Sequence, residues 1–475
     1  MPTDLDDIFA SVAREADLIP LSTAAQARKR GRQRTRNGII ATAAAVCVVL
    51  AGVGVAAGQG QRRADKTVAP TPSPSVTATT PTAVGPLPPV GKPITYGRTL
   101  DETHPTIVKD RIYDAWKVGE QIAVVAADLR TGEVIWRIQG FSTGPELGAF
   151  VSATEDAVLV GNGGGSNWVL DPADGSQMWT YTSSHLGEEL VHERVFVQRN
   201  DRTGQVDAHD LRTGRKLWSI APSSDMVDQI LGMRVYGQEL PGSPLTDDRL
   251  VVVRRSGQVQ VRDIVSGDVK RTTTPVSPPN GGPEGKVAYE GKFYDGGPGC
   301  CDTEPYRVVV TDLTTGASKK IFIGKLGHTV GSMTVCGANR VCLVDEVSDT
   351  EAWLRAVDAN TGQVIWSVPG PVGGSSLVAY DVELLLGGDG VTRLIDGNGR
   401  EVFRTTTQAE VEWLDGGRVL VMPPTTGGEV QIVNTTYGTV TRLGLLPARA
   451  GTCAHTPDRL VCPTTKDVRV FQLRE

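Results

Sequence analysis

The 475-residue sequence has few aromatic and sulfur-containing side chains: Phe, Trp and Tyr make up 5% of it, with 6 methionines and 7 cysteines. It has no Gly-x-Ser-x-Gly, no phosphate-binding loop and no His-Glu-x-x-His, the motifs of α/β-hydrolases, P-loop nucleotide hydrolases and zinc peptidases. Its 6 histidines are scattered along the chain, and scattered histidines are more often structural than catalytic. We therefore expect no catalytic residue, no cofactor-binding residue and no metal ligand.

Clustered positive charge is also missing from most of the chain. The net charge is −6, and Lys and Arg form no cluster after the N-terminal region. Because nucleic-acid binding needs such a cluster on one face of the protein, we expect no nucleic-acid partner. Long hydrophobic runs are equally rare, and residues 38–58 are the single exception.

Residues 38–58 are 21 residues without a charged side chain. A helix of this length spans roughly 31 Å, which matches the hydrocarbon thickness of a bilayer. Basic residues precede it at Arg28, Lys29, Arg30, Arg32, Arg34 and Arg36. From the positive-inside bias we predict a single-pass protein of the cell membrane, with its N-terminus in the cytoplasm and the rest outside. A cleaved signal peptide is the alternative, because Val55-Ala56-Ala57 is a small-residue cleavage site.

Two polar segments flank this run. Residues 1–37 form a cytoplasmic tail in which Leu5, Ile8, Phe9 and Val12 follow the spacing of one helical face. The tail is either a docking helix for a cytoplasmic partner or an unfolded segment. Residues 59–92 are rich in Pro, Thr and Ser, a composition typical of a semi-extended linker, here extracytoplasmic.

From residue 93 to residue 475 a turn motif recurs eight times, at intervals of 37 to 53 residues. Its glycines are Gly132, Gly175, Gly214, Gly267, Gly316, Gly362, Gly399 and Gly438. In most copies an aspartate stands four residues earlier, at Asp128, Asp171, Asp210, Asp263, Asp312 and Asp358. The aspartate caps the turn, glycine supplies a positive φ, and alternating strands flank both. The interval is that of a propeller blade, so we predict an all-β propeller of four-stranded antiparallel blades.

Five copies carry an aromatic ring four residues after the glycine: Trp136, Trp179, Trp218, Trp366 and Phe403. A ring at a fixed offset on a regular strand indicates packing between neighbouring blades. The alternative is a row of exposed stacking platforms for sugars or bases.

Three copies, Ala126 to Trp136, Ala208 to Trp218 and Ala356 to Trp366, share the pattern Ala-x-Asp-x-x-Thr-Gly-x-x-x-Trp. This pattern resembles the tryptophan-docking repeat of the PQQ-like (quinoprotein-type) β-propellers. Together, the tail, span, linker and repeats are similar to membrane-anchored actinobacterial members. The superfamily includes quinone-dependent dehydrogenases and non-enzymatic assembly scaffolds of the cell envelope, so the resemblance implies the fold but no single activity.

The sequence predicts the type of blade more directly than the number of blades. Eight complete units are followed by Asp458 to Leu473, which supplies two strands and then ends. This incomplete unit predicts that Pro93 to Leu100 returns as its outer strand and closes the ring. A literal count gives nine blades, while the family resemblance favours eight or seven, and our expectation is eight.

Six cysteines lie outside the hydrophobic run: Cys300, Cys301, Cys336, Cys342, Cys453 and Cys462. An even number in an oxidising compartment indicates disulfides. We predict local bridges between Cys336 and Cys342 and between Cys453 and Cys462, at corresponding places in two blades. Zinc is the alternative, but no Cys-x-x-Cys or histidine cluster accompanies them.

Cys300 and Cys301 lie in an insertion between two strands, and either pair with each other or pair elsewhere. PQQ-dependent alcohol dehydrogenases have such a vicinal disulfide, so the resemblance raises a quinoprotein dehydrogenase, with PQQ and calcium, as one alternative. A carbohydrate-binding propeller is another, if Trp116, Trp168, Trp353 or Trp413 faces outward. The favoured function is a non-catalytic binding or assembly scaffold for a protein or cell-envelope ligand.

Overall fold

The structure is a computed structural model that describes residues 84–97, 103–142, 149–161, 165–183, 188–235, 245–274, 285–297, 304–372, 375–388, 390–406 and 409–473. The predicted tail, the predicted span and most of the predicted linker lie outside these ranges, as do Cys300 and Cys301. Among the residues that the structure does describe, there is no helix with the length and hydropathy needed to cross a membrane.

The described residues form nine antiparallel sheets of four strands each, with no strand shared between sheets. Blades 1 to 3 are β2 (Thr106–Val108), β3 (Arg111–Val118), β4 (Gln121–Asp128), β5 (Val134–Ser142); β6 (Phe150–Ala153), β7 (Val158–Gly161), β8 (Gly165–Leu170), β9 (Gln177–Ser183); β10 (Glu188–Val191), β11 (Val195–Arg199), β12 (Val206–Asp210), β13 (Lys216–Ile220). Blades 4 to 6 are β14 (Val227–Gly232), β15 (Arg249–Arg254), β16 (Val259–Asp263), β17 (Val269–Thr273); β18 (Lys286–Tyr289), β19 (Lys292–Gly297), β20 (Arg307–Asp312), β21 (Ser318–Ile323); β22 (Thr329–Val335), β23 (Arg340–Ser348), β24 (Glu351–Asp358), β25 (Val364–Pro369). Blades 7 to 9 are β26 (Ser376–Tyr380), β27 (Glu383–Gly388), β28 (Val391–Ile395), β29 (Glu401–Thr405); β30 (Glu410–Asp415), β31 (Arg418–Met422), β32 (Gly428–Asn434), β33 (Val440–Leu446); β34 (Ala454–Thr456), β35 (Arg459–Pro463), β36 (Asp467–Gln472), β1 (Pro89–Thr95).

The hydrophobic core lies between the faces of neighbouring blades. In one cluster, Val124 and Trp136 of blade 1 pack against Val158 and Leu170 of blade 2. The middle strands of each blade are covered on both faces, which explains why they read as nearly continuous apolar runs such as 250–253. The core therefore repeats from blade to blade around the ring.

The ninth blade is assembled from both ends of the propeller. β1 pairs antiparallel with β36, with Pro89 opposite Phe471 and Ile94 opposite Val468. This confirms the predicted return of an N-terminal strand, but the strand is Pro89–Thr95 rather than Pro93 to Leu100. The expected count of eight blades is corrected to nine over the described residues, because β1 completes the last unit as a full sheet.

The predicted turn chemistry is visible in each copy of the motif. The eight motif glycines all have positive φ, from 66° to 81°, a region that favours glycine. In blade 1 the carboxylate of Asp128 accepts the N–H groups of Arg130 and Thr131 at 2.9 and 2.8 Å. These bonds hold the pKa of Asp128 below its usual value, and the bond from the Thr131 backbone has the largest effect. The turn is therefore fixed by its own residues.

Each motif tryptophan packs on the turn of the next blade. The Trp136 indole N–H donates to the Pro172 carbonyl at 2.9 Å, and the ring lies against Gly175. The same contact joins three further pairs: Trp179 with Gly214, Trp218 with Gly267, and Trp366 with Gly399. Phe403 packs in the cluster between blades 7 and 8. The rings thus tie together sheets that share no strand.

Both predicted local disulfides are present and confirmed: Cys336–Cys342 and Cys453–Cys462. Their expected placement at corresponding points in two blades is wrong. Cys336 follows the first strand of blade 6, whereas Cys453 precedes the first strand of blade 9. The bridges therefore lie at opposite ends of the first strand of their blades.

Candidate functional site: the central channel

The first strand of every blade lies at the end of its sheet, and these strands surround a central channel. A cavity of about 890 Å³ is lined by residues of blades 1, 2, 7, 8 and 9, with single residues from blades 3 and 4. A second cavity of about 480 Å³ is lined mainly by blades 3 to 6. The two share Ala153, Thr154 and Val378, so they lie next to each other in the channel. Its residues come from separate blades and could not be grouped from sequence.

Carboxylates dominate the charged lining of the larger cavity. Glu155, Asp156, Glu193 and Glu412 face one lysine, Lys109, and His455 is the remaining titratable group there. Lys109 pairs with Glu155 at 2.5 Å. The His455 ring lies 3.1 Å from the Glu412 carboxylate. The lining of the larger cavity is therefore acidic, with some of its charge neutralised locally, whereas the smaller cavity is lined by Arg234 and Lys286 against Glu189.

A buried ion pair closes the wall between blades 8 and 9. The Arg449 side chain is only 4% exposed and donates to Glu410 Oε2 at 2.6 Å and to the Pro423 carbonyl at 2.9 Å. Burial raises the pKa of Glu410, and the Arg449 guanidinium acts against that rise. This pair fixes the start of β30, the strand that carries Glu412 into the channel.

Blade 4 contributes residues that pair inside the channel with the first strands of both neighbouring blades. The backbone of Leu245 donates to Val191 O at 3.0 Å and accepts from Glu193 N at 3.3 Å, beside β10. The backbone of Arg234 donates to Ala288 O at 3.1 Å and accepts from Glu290 N at 2.9 Å, beside β18. The free edges of two first strands are thus extended by the chain itself.

Two buried aspartates occupy equivalent places in blades 1 and 5, each after a tyrosine: Tyr113-Asp114 and Tyr294-Asp295. Burial raises the pKa of Asp114 to about 7, although the Tyr96 hydroxyl donates to it at 2.8 Å. Burial also raises the pKa of Asp295 to about 7, with the Lys286 ammonium acting against it. Sequence reasoning missed both residues, and the repeated Tyr-Asp pair was the signal that could have found them.

A quinone held by calcium would need a cluster of oxygen ligands. Calcium needs six to eight oxygen ligands, and within the described ranges no three His, Cys, Asp or Glu side chains lie close enough together to hold a metal ion. The acidic lining of the larger cavity would repel PQQ, which is itself a tricarboxylate.

Three of the four tryptophans considered as sugar platforms are buried. Trp116, Trp168 and Trp413 are 2%, 8% and 3% exposed. Trp353 is partly exposed, and its indole N–H donates to Glu351 at 2.9 Å. Of these four rings, only Trp353 could therefore meet a sugar at the surface.

Comparison with known proteins gives one family match, over part of the propeller. Residues 120–321 match the family described as outer membrane protein assembly factor BamB. The crystal structure of BamB from Moraxella catarrhalis is similar at 15% identity and a TM-score of 0.43, covering 79% of this chain and 96% of that chain. The computationally designed Ika8 protein is similar at 15% identity and a TM-score of 0.43, covering 68% of this chain and 95% of that chain. No curated protein sequence matches the chain.

Proposed function

We propose that this PQQ-like repeat β-propeller is a non-catalytic scaffold that binds a protein or cell-envelope ligand. A single helix at residues 38–58 anchors it in the cell membrane, with the propeller outside. The observation that carries the proposal is the channel, where acidic side chains from separate blades converge on one cavity. Such a cavity, concave and lined by apolar groups with a few placed polar ones, is the usual form of a binding site.

The arrangement of the charges supports binding rather than catalysis. Glu410 and Glu412 are each matched by a cationic or titratable partner, Arg449 and His455. These pairs hold side chains in place along the wall of the channel. A general acid or base would instead need to reach a reacting group beside an activated nucleophile or a bound cofactor.

The family description supports an assembly role. The matching family is named for an outer membrane protein assembly factor, and a scaffold in an assembly needs binding surfaces but no reaction centre. The disulfides Cys336–Cys342 and Cys453–Cys462 support an oxidising compartment, in agreement with a propeller outside the membrane.

Reconstitution of the full chain with PQQ and calcium tests the non-catalytic part of the proposal. We expect no bound-quinone absorbance and no reduction of an artificial electron acceptor with alcohols or sugars. Quinone absorbance together with acceptor reduction would overturn it.

Protease treatment of intact cells tests the topology. The propeller should be cleaved from outside, while an epitope at residue 1 should be protected from the protease. The epitope should also be retained on the mature protein, because cleavage of a signal peptide would remove it.

A further inference from the structure

The free edges of the first strands are the least satisfied part of the channel wall. Each first strand is hydrogen-bonded to one neighbour in its own sheet, so its other edge presents N–H and C=O groups to the channel. Such an edge is a template for an added strand. At β10 and β18 the chain itself supplies the added residues, Leu245 and Arg234.

The larger cavity lies beside first strands to which the chain adds no such residue within its described ranges. These are β2, β6, β26 and β30. Directly before β34 the chain does add a residue, since Thr103 pairs with Gly451 and its N–H donates to Ala450 O at 2.9 Å. β30 is six residues long and carries Glu412 at its centre. It offers the longest free edge on this side of the channel.

The charged and apolar residues that line the larger cavity indicate which kind of partner it can bind. Four carboxylates face one lysine and one histidine, so electrostatic complementarity favours a cationic partner. Apolar side chains of the same wall, including Val378 and Val411, can contact alternate residues of an extended chain. Added strands obtain affinity from main-chain hydrogen bonds and specificity from alternate side chains.

We propose that the channel binds a basic, extended polypeptide segment as an added strand on β30, with lysine or arginine side chains directed to Glu412 and Glu193. The inference rests on the proposed scaffold function and names the chemistry of its partner. Glu193 lies in the connection between β10 and β11, at the same end of the channel as Lys109, Glu155 and Asp156 in the equivalent connections of blades 1 and 2. Basic side chains therefore meet acidic groups inside the channel and at one of its ends.

Fluorescence anisotropy with the full chain in a mild nonionic detergent tests the proposal. The probe is a fluorescein-labelled eight-residue peptide of alternating lysine and valine. The comparison peptides replace lysine with glutamate, or carry N-methyl groups on alternate amides. We expect the first peptide to bind, the glutamate peptide not to bind, and the N-methylated peptide to bind at least about tenfold more weakly, because each lost hydrogen bond costs about 1 kcal/mol.

Charge-removing variants locate the binding site. Glu412→Gln and Glu193→Gln should each weaken binding by up to about fivefold, as expected for partly exposed charge pairs. The matched control is Glu120→Gln, since Glu120 is exposed in the turn between β3 and β4, and it should leave binding unchanged. No binding, equal binding of the glutamate or N-methylated peptide, or equal weakening by the control would overturn the proposal. The quinone assay gives a separate readout, so a failure here is distinguishable from a failure of the scaffold function.

Discussion

The contact between Trp136 and Gly175 predicts a rescue between two damaging substitutions. A Cβ added at Gly175 would lie 2.7 Å from Trp136 Cε3, at a φ of +78°. Gly175→Ala should therefore cost about 1–2 kcal/mol for the backbone conformation and about 1–3 kcal/mol for overpacking against the ring. Trp136→Ala alone should cost about 3–5 kcal/mol, the usual range for truncating a buried tryptophan.

In the Trp136→Ala background the overpacking disappears, so Gly175→Ala should cost only about 1–2 kcal/mol there. The double-mutant cycle should thus give a favourable coupling of about 1–3 kcal/mol. Denaturant unfolding followed by circular dichroism measures it without depending on the removed tryptophan. Gly119→Ala is the control, because Gly119 has a φ of +64° and no atom within 4 Å of the added Cβ. Equal costs of Gly175→Ala in both backgrounds would refute the docking of the ring on the turn.

Three further predictions concern the rest of the propeller. Replacing both Cys453 and Cys462 with alanine should lower the free energy of unfolding by about 2.6 kcal/mol, the chain-entropy value for a loop closed over their sequence separation of 9; an unchanged denaturation midpoint would contradict this. The pKa of Asp295 is raised to about 7 from 3.8, so the folded state holds a proton that the unfolded state releases, and stability should fall as pH rises from about 4 to 7. Asp295→Asn should flatten part of that fall in a pH series of unfolding curves, and an identical slope would count against it. Arg449→Leu should cost about 3 kcal/mol by leaving Glu410 half-buried without its cation, and adding Glu410→Gln should restore most of that loss in the same unfolding assay; no restoration would argue against the pair.

Local turn chemistry made the blade type readable from the sequence. Asp128 and Gly132 act on residues within five positions of each other, so the motif needs no distant partner to be recognised. The tryptophan offset was equally informative, because every docking ring must reach the next turn from the same place on its strand. Contacts between blades that do not use a motif ring could not be predicted. Where blade 9 meets blade 1, for example, the contact is a backbone hydrogen bond from Lys92 N to Thr131 O at 2.8 Å.

The number of blades was harder because one blade is divided between the two ends of the propeller. β1 and β36 are separated by almost the entire propeller sequence, and neither carries the turn motif. The family resemblance favoured eight blades, although a count of the repeated units gave nine. The returning strand also begins earlier than predicted, at Pro89, and Ile94 pairs with Val468.

The channel could not be predicted, because its residues share no sequence neighbourhood. Glu193, Glu412 and His455 belong to three blades and meet only when the ring closes. Glu410 and Arg449 carried no signal either, since a charged side chain on a strand or in a connection is more often solvated than buried. By contrast, the insertion with Cys300 and Cys301, singled out from sequence, lies outside the described residues.

Hydrogen–deuterium exchange on the full chain, with and without the lysine–valine peptide, tests the channel assignment most directly. Amides whose N–H groups become paired or covered exchange more slowly. With the peptide bound, exchange should be slower in the β30 segment, residues 410–415, and unchanged in the outer strands β29 and β33. Slower exchange confined to the outer strands, or no change anywhere while the peptide is bound, would contradict it.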